Sequence, residues 1–357
     1  MTAKKWVKTF VALSAGLMIL TGAMVAVIDP FFHYHKPLDG FFYKLDDERY
    51  QNDGITKNFE YDAVITGTSM TQNFKTSQAE DLFGQKFIKV CFSGAKFKEI
   101  NDNLEVAVKT HDVKMVIRGI DGTYLLEDEN SMRTDLGTYP DYLYDSNIFN
   151  DVKYLLNMDV LMKYCFPMMA KRCMGADSGV TSFDDYSNWM EEAVFGTVDM
   201  PVKENVDVIG MEKALTSREK KTLTDSIEQN AVKIARENPD TQFYFFFPPY
   251  SILYWHNVMR ENTFEATMAQ YQYVAERLLE YDNVHLFYFQ NMPEVTDLNN
   301  YADYSHYKPD INRYMVECFK TGDHEIKSAE QMRDELLKMR GIIDEFDFDG
   351  LFSVDWG

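Results

Sequence analysis

The sequence predicts an α/β fold. The expected form is a three-layer α/β/α domain around a five-stranded, mainly parallel sheet, with a helical cap insertion and an N-terminal transmembrane helix. Three observations predict it. Five near-continuous apolar runs, Tyr61–Gly67, Lys86–Phe92, Val113–Ile120, Thr241–Phe247 and Val284–Phe289, have the length and residue types of strands covered on both faces. Stretches of helical periodicity alternate with those runs, as right-handed βαβ crossovers require. Near the N-terminus stand twenty consecutive uncharged residues, Thr9 to Ile28, ahead of Asp29-Pro30.

Those twenty residues would form a helix about 30 Å long, the thickness of a bilayer's hydrocarbon core. Lys4, Lys5 and Lys8 precede them, which predicts a cytoplasmic N-terminus and an exported remainder. The expected location is the cell membrane, in a single pass with the main domain outside. The alternative is a cleaved signal peptide and secretion; Thr21-Gly22-Ala23 is a weak cleavage site, and the apolar stretch is long for that role. Residues 1–30 are therefore the anchor or signal, and 31–58 a polar and aromatic connector. Residues 59–322 form the main domain, with an insertion over about 123–210, and 323–357 a C-terminal helix and acidic tail.

Between the first two runs, Thr76-Ser77-Gln78-Ala79-Glu80 opens a short helix. Ile100, Leu104, Ala107 and Val108 make the inner stripe of the next, which ends before His111. Ser217 to Asn238 reads as a long helix with Leu223, Ile227, Ala231 and Ile234 on one face, and Ala266 to Glu280 as another. Pro309 opens a late helix with Ile311, Met315, Cys318 and Phe319 inward, and Ser328 to Met339 a last one. The insertion breaks the alternation. It is rich in Tyr, Met and Asp, has helical patterns near Asp151–Tyr164 and Phe183–Val194, and is expected to cap the site.

Composition narrows the function. A net charge of −21 repels nucleic acid. The four cysteines, Cys91, Cys165, Cys173 and Cys318, form neither a C-x-x-C motif nor a zinc spacing; Cys165 and Cys173 could pair, but nothing in the sequence requires it. His33 and His35 lack a carboxylate at ligand spacing and read as interfacial. No metal and no cofactor are expected.

The chemistry-bearing residues fall at the carboxyl ends of the runs, where such sheets place their sites. Ser69 follows the first, Gly94 the second, Asp121 the third, Pro248-Pro249 the fourth, and Asp303 and His306 the fifth. A serine on a strand-to-helix turn needs a base, and the base needs a group that fixes its tautomer. Ser69, His306 and Asp303 fill those roles, and the spacing Asp303-Tyr304-Ser305-His306 lets one turn present both partners. Each motif alone is common in turns; their shared edge and order give the reading its weight.

Gly67-Thr68-Ser69, Ser93-Gly94 and Asp303-Tyr304-Ser305-His306 together resemble the SGNH, or GDSL-like, hydrolase superfamily, over roughly Tyr61 to Phe319 apart from the insertion. The anchor and insertion resemble most the branch that holds the teichoic-acid D-alanine transfer protein and the alginate acetylation proteins. The resemblance implies a flavodoxin-like sheet and a serine esterase or O-acyltransferase. It would act on acetyl or D-alanyl esters of an envelope polysaccharide or teichoic acid, often beside a membrane-bound O-acyltransferase. A catalytically weak binding or scaffold partner of such an acyltransferase is the alternative.

One block departs. The family's Gly-x-Asn-Asp after the third strand is here Gly119-Ile120-Asp121-Gly122, and an ionised aspartate cannot donate to an oxyanion. The oxyanion hole would rest on the backbone of Ser69 and Gly94, and one missing donor costs about 3 kcal/mol. Three readings stay open: Asn73 replaces the donor, Asp121 is protonated or structural, or the enzyme is slow. Asp121, Arg118, Tyr250, Tyr254 and Trp255 are the substrate-binding candidates. The aromatics would offer a platform to a sugar ring and Arg118 a clamp for an anion; core packing, and for Arg118 an ion pair with an acid, are the plainer alternatives. His256 and His285 read as structural.

Overall fold

A computed structural model describes residues 2–189, 193–196 and 211–353. The chain divides into two compact units, Met1–Glu60 with Thr134–Tyr186, and Tyr61–Arg133 with Ser187–Gly357.

The second unit is mixed α/β. Among the described residues its main sheet has six strands: β1 (Ala63–Thr66), β2 (Phe87–Lys89), β3 (Met115–Gly119), β4 (Gln242–Phe247), β5 (Val284–Tyr288) and β6 (Glu325–Ile326). Their spatial order is β2-β1-β3-β4-β5-β6. The five expected runs pair in parallel, with Ala63 beside Phe87 and Met115, Met115 beside Gln242, and Phe243 beside Val284. The expected five strands are corrected to six by β6, an antiparallel edge of two residues against Leu286 and Phe287. The chain leaves β1 for β2 on one side and returns to β3 on the other. The carboxyl end of β1 is thus a topological switch point, where open sheets place their crevices.

The sheet is apolar on both faces because nearly every strand residue is buried. Ile65, Phe74, Ile117, Phe246, Phe287 and Phe319 belong to one core cluster. Phe319 meets the rings of Phe74, Phe246 and Phe287 at centroid distances of 6.2, 5.5 and 5.0 Å. It rides on helix Pro309–Thr321, which starts with proline at its first turn and stops at Gly322 in the left-handed region. Helix Phe97–Thr110 ends before His111 as its stripe predicts. Ser217–Ile227 starts with a Thr216–Glu219 capping box and runs through a π segment, Glu228–Val232, into Lys233–Glu237. Phe264–Leu278 and Ala329–Glu345 complete the helices foreseen, the latter ending six residues beyond its pattern.

The first unit differs from expectation. Helix Ala3–Ile28 is long and apolar enough to cross a membrane. Residues 31–58, expected as a connector, carry strand Phe42–Tyr43 and helix Glu48–Asn58; the strand pairs in parallel with Gly179–Val180 from the insertion. Asp29 ends the first helix with a positive φ and accepts the backbone N–H groups of His33, Tyr34 and His35 and the hydroxyl of Tyr154. Burial raises its pKa against those bonds. Tyr186 donates to Asn52 at 2.8 Å. The helical pattern at Asp151–Tyr164 resolves into Val152–Leu155, a π segment Val160–Cys165 and helix Phe166–Cys173. Residues 183–189 are turn and coil rather than the expected helix, and part of that pattern, like the end of the acidic tail, lies outside the described residues. All four cysteines are free, so Cys165 and Cys173 do not pair.

Candidate active site

β1 delivers the serine. Its last residue, Thr66, is followed by Gly67 at φ 149°, where a Cβ would lie 2.8 Å from the Thr71 side chain. Only glycine lets the chain turn there so tightly. Thr68 then caps a 3-10 turn, Ser69–Thr71, by accepting the N–H of Met70. Ser69 is half-buried at the head of this turn.

His306 comes from the loop after β5. A bridge between Tyr301 and Tyr307 closes that loop, and Ala302 N–H donates to His306 O. The Tyr301 hydroxyl donates to Pro249 O at 2.9 Å and the Ser251 hydroxyl to Tyr304 O at 2.7 Å, so the end of β4 holds the loop. The Tyr307 hydroxyl donates to Met70 O at 2.7 Å and ties the loop to the serine turn.

The structure brings the three expected residues together. Ser69 Oγ lies 2.8 Å from His306 Nε2, and His306 Nδ1 lies 2.6 Å from Asp303 Oδ2. Asp303 Oδ1 accepts from the backbone N–H groups of Ser305 and His306, both at 2.8 Å, and from the Ser305 hydroxyl. Burial pushes the Asp303 pKa up, but the hydrogen bond and charge of His306 with the two backbone donors outweigh it and hold the carboxyl well below the usual range. An ionised Asp303 keeps the imidazole proton on Nδ1 and leaves Nε2 to accept from Ser69.

Two further residues fasten this arrangement. The Trp189 indole N–H donates to Ser69 O at 3.4 Å, and its ring meets His306 edge-on at 5.2 Å. Lys89, buried at the end of β2, donates through Nζ to the carbonyls of Gln72 and Phe74, the latter at 3.1 Å, and pins the chain after the serine turn. Neither was foreseen. The signal for Lys89 was a cation in the middle of an apolar run; Trp189 sits in the insertion, where no periodicity marks it.

The other expected residues are placed as follows. Gly94 follows β2 with φ 58°, and a Cβ there would stand 2.4 Å from the Arg133 guanidinium, which donates to Ser93 O at 2.8 Å. Asn73 is buried with Oδ1 unpartnered, and no hydrogen bond joins it to Ser69 or His306. Asp121 is engaged by neighbours: it accepts from the hydroxyls of Thr68, Thr123 and Tyr250 and from Thr123 N–H. Tyr250 OH also accepts from Gly122 N–H, and burial followed by the charge of Asp121 drives the phenol's pKa far up. Asp121 thus builds the turn after β3 and joins it to Thr68.

The aromatic platform is corrected. Tyr250 and Trp255 are fully buried and cannot meet a sugar without rearrangement. Arg118 is fully buried too, 3.5 Å from Asn101 Oδ1 and near the Phe245 ring, with Nε and Nη2 unpartnered; burial pulls its pKa down to about 9. Among the described residues it pairs with no acid, and its burial keeps it from the surface. Of the three platform candidates, Tyr254 reaches a cleft of about 1060 Å³, which Gly122, Thr123, Asn257, Gln270 and Tyr304 also line. His256 packs on Phe348 and His285 bonds Glu325, both away from Ser69.

No family model matches the chain. No curated protein matches it either. Among solved structures it is similar to one described as "a putative platelet activating factor from Streptococcus pneumonia", at 9% identity over 77% of this chain and 90% of that one, with a TM-score of 0.38. A likeness of that degree carries no inference about fold or function to this chain.

Proposed function

We propose that the chain is a membrane-anchored serine esterase or O-acyltransferase of the SGNH type, built as a three-layer α/β/α domain and facing away from the cytoplasm. The observation that carries the proposal is the continuous hydrogen-bonded series Ser69–His306–Asp303 on one turn and one loop at the sheet's carboxyl edge. Its substrate class is an acyl ester, acetyl or D-alanyl, on a cell-envelope polysaccharide or teichoic acid. The three motif blocks and the apolar N-terminal helix support that class.

Ser69 Oγ attacks the acyl carbonyl while His306 Nε2 takes the hydroxyl proton. The backbone N–H groups of Ser69 and Gly94, with Asn73 as the third donor, receive the oxyanion. Collapse breaks the ester C–O bond, and His306 returns the proton to the leaving alcohol. Water or a second sugar hydroxyl, deprotonated by His306, then releases the acyl group from Ser69. Water makes an esterase; a sugar hydroxyl makes a transferase, for which a membrane-bound O-acyltransferase is the fitting partner.

The test is release or transfer of acetate and D-alanine on isolated envelope glycopolymers by the full-length chain in detergent, beside Ser69→Ala. Turnover that vanishes in the variant supports the proposal. Turnover equal in both, or absent from folded wild type with every polymer offered, contradicts the substrate class.

A further inference from the structure

We infer that residues 148–174 form a second membrane contact, an interfacial helical segment seated at the boundary between headgroups and acyl chains beside the N-terminal helix. The inference rests on the anchor reading above.

The first ground is an apolar face left partly exposed. Met158, Met162, Phe166 and Met169 are 65, 55, 42 and 37% exposed. Their spacing of four, four and three residues places them on one helical face. Val160, Leu161, Cys165 and Met168 of the same segment are buried. Phe149, 85% exposed, extends the apolar surface at the near end. Single exposed apolar residues are ordinary, but a contiguous stripe marks an interaction surface.

The second ground is depth. The uncharged stretch from Thr9 to Ile28 matches the hydrocarbon core in length. A Cβ at Gly22 would lie 3.7 Å from Leu155 Cβ and 3.8 Å from Leu156 Cδ2. Gly22 precedes Ile28 by six residues, about 9 Å of helix. With Ile28 at the hydrocarbon edge, the helix Val152–Leu155 touches the anchor about 9 Å inside that edge. Amphipathic helices lying in the interface bury their apolar faces by about 5–10 Å. The seat of the segment and the exposure of its face therefore agree.

The third ground is charge. Against a chain of net charge −21, this segment exposes Lys153, Lys163, Lys171 and Arg172, with Lys163 paired to Asp159 at 3.4 Å. Long cationic side chains beside an apolar stripe reach up to lipid phosphates. The partner is thus a phospholipid surface with anionic headgroups. Two contacts, anchor and segment, would fix the rotation of this unit about the helix axis.

The test uses the full-length chain in phosphatidylcholine–phosphatidylglycerol vesicles. Cys173→Ser removes the exposed thiol, and single cysteines replace Phe149, Met162, Leu17 and Lys220 for labelling with an environment-sensitive fluorophore. Nitroxide lipids report contact. The expected result is blue-shifted, lipid-quenched emission at 149, 162 and 17 and none at 220. Quenching at 17 without quenching at 149 and 162 overturns the inference and leaves the anchor standing. Absence of quenching at 17 as well sinks the anchor reading, and this inference with it. Disulfide crosslinking of two chains through position 149, unquenched by lipid, overturns it in favour of a second copy.

Discussion

Asp303→Asn separates orientation of the base from mere proximity. Asp303 Oδ1 faces three donors, while Oδ2 faces His306 Nδ1 at 2.6 Å. An asparagine keeps its carbonyl toward the three donors and turns its NH2 to Nδ1. Nδ1 must then accept, the proton moves to Nε2, and Nε2 can no longer take the proton of Ser69. In a triad of this kind, that change lowers turnover by about 10⁴, or about 5.5 kcal/mol of barrier. The Asp303 side chain is 44% exposed, so water moderates the effect, and a loss between about 10² and 10⁴ is expected. Asp303→Ala leaves Nδ1 free to donate to water and should lose less than Asp303→Asn. The assay is the second-order rate of fluorophosphonate labelling, which needs no knowledge of the substrate, with thermal melts to show that both variants fold. Folded Asp303→Asn that labels within tenfold of wild type, or faster than Asp303→Ala, refutes the tautomer argument. The pH dependence has a fixed sign. The Asp303 carboxyl is depressed in the fold, so its contribution to stability is complete above the unfolded value of about 3.9 and is lost only as pH falls through the lower folded value. A rate change near neutrality is therefore not a titration of Asp303.

Other substitutions test the supports. Lys89→Met leaves two buried carbonyls, of Gln72 and Phe74, without this cation, and should lower the unfolding free energy by about 2–5 kcal/mol in urea titration; a loss below about 1 kcal/mol would show that the bridge is unimportant. Asp121→Ala strands the buried Tyr250 hydroxyl and should cost about 1–3 kcal/mol of stability while the folded fraction still labels; full stability with lost polymer turnover would return Asp121 to substrate binding. Trp189→Phe deletes the N–H bond to Ser69 O and keeps an aromatic ring against His306. It should slow labelling about fivefold, the worth of about 1 kcal/mol, and an unchanged rate would remove Trp189 from the site.

The meeting of the candidate site's three residues was legible because they sit in short motifs at strand ends. Ser69, Asp303 and His306 are each fixed by a few neighbouring residues, and the parallel order of the strands carries them to one edge. Sequence was weaker where a contact joins distant segments. Residues 31–58 read as a connector because their partners stand more than a hundred residues away, as in Phe31–Tyr154 and Asn52–Tyr186. Trp189 was missed for the same reason. Tyr250 and Trp255 could be read as a sugar platform or as core, and burial decides for the core that their apolar neighbours, Phe243 to Phe247 and Ile252-Leu253, favour. β6 escaped because two residues carry no period.

The central claim, an activated Ser69, is tested most directly by treating the full-length chain with a fluorophosphonate and locating the adduct by peptide mass. The account predicts one phosphonylated residue, Ser69, with no adduct in Ser69→Ala or His306→Ala. An unmodified, folded wild-type chain, or an adduct that persists at Ser69 in His306→Ala at the wild-type rate, would contradict it.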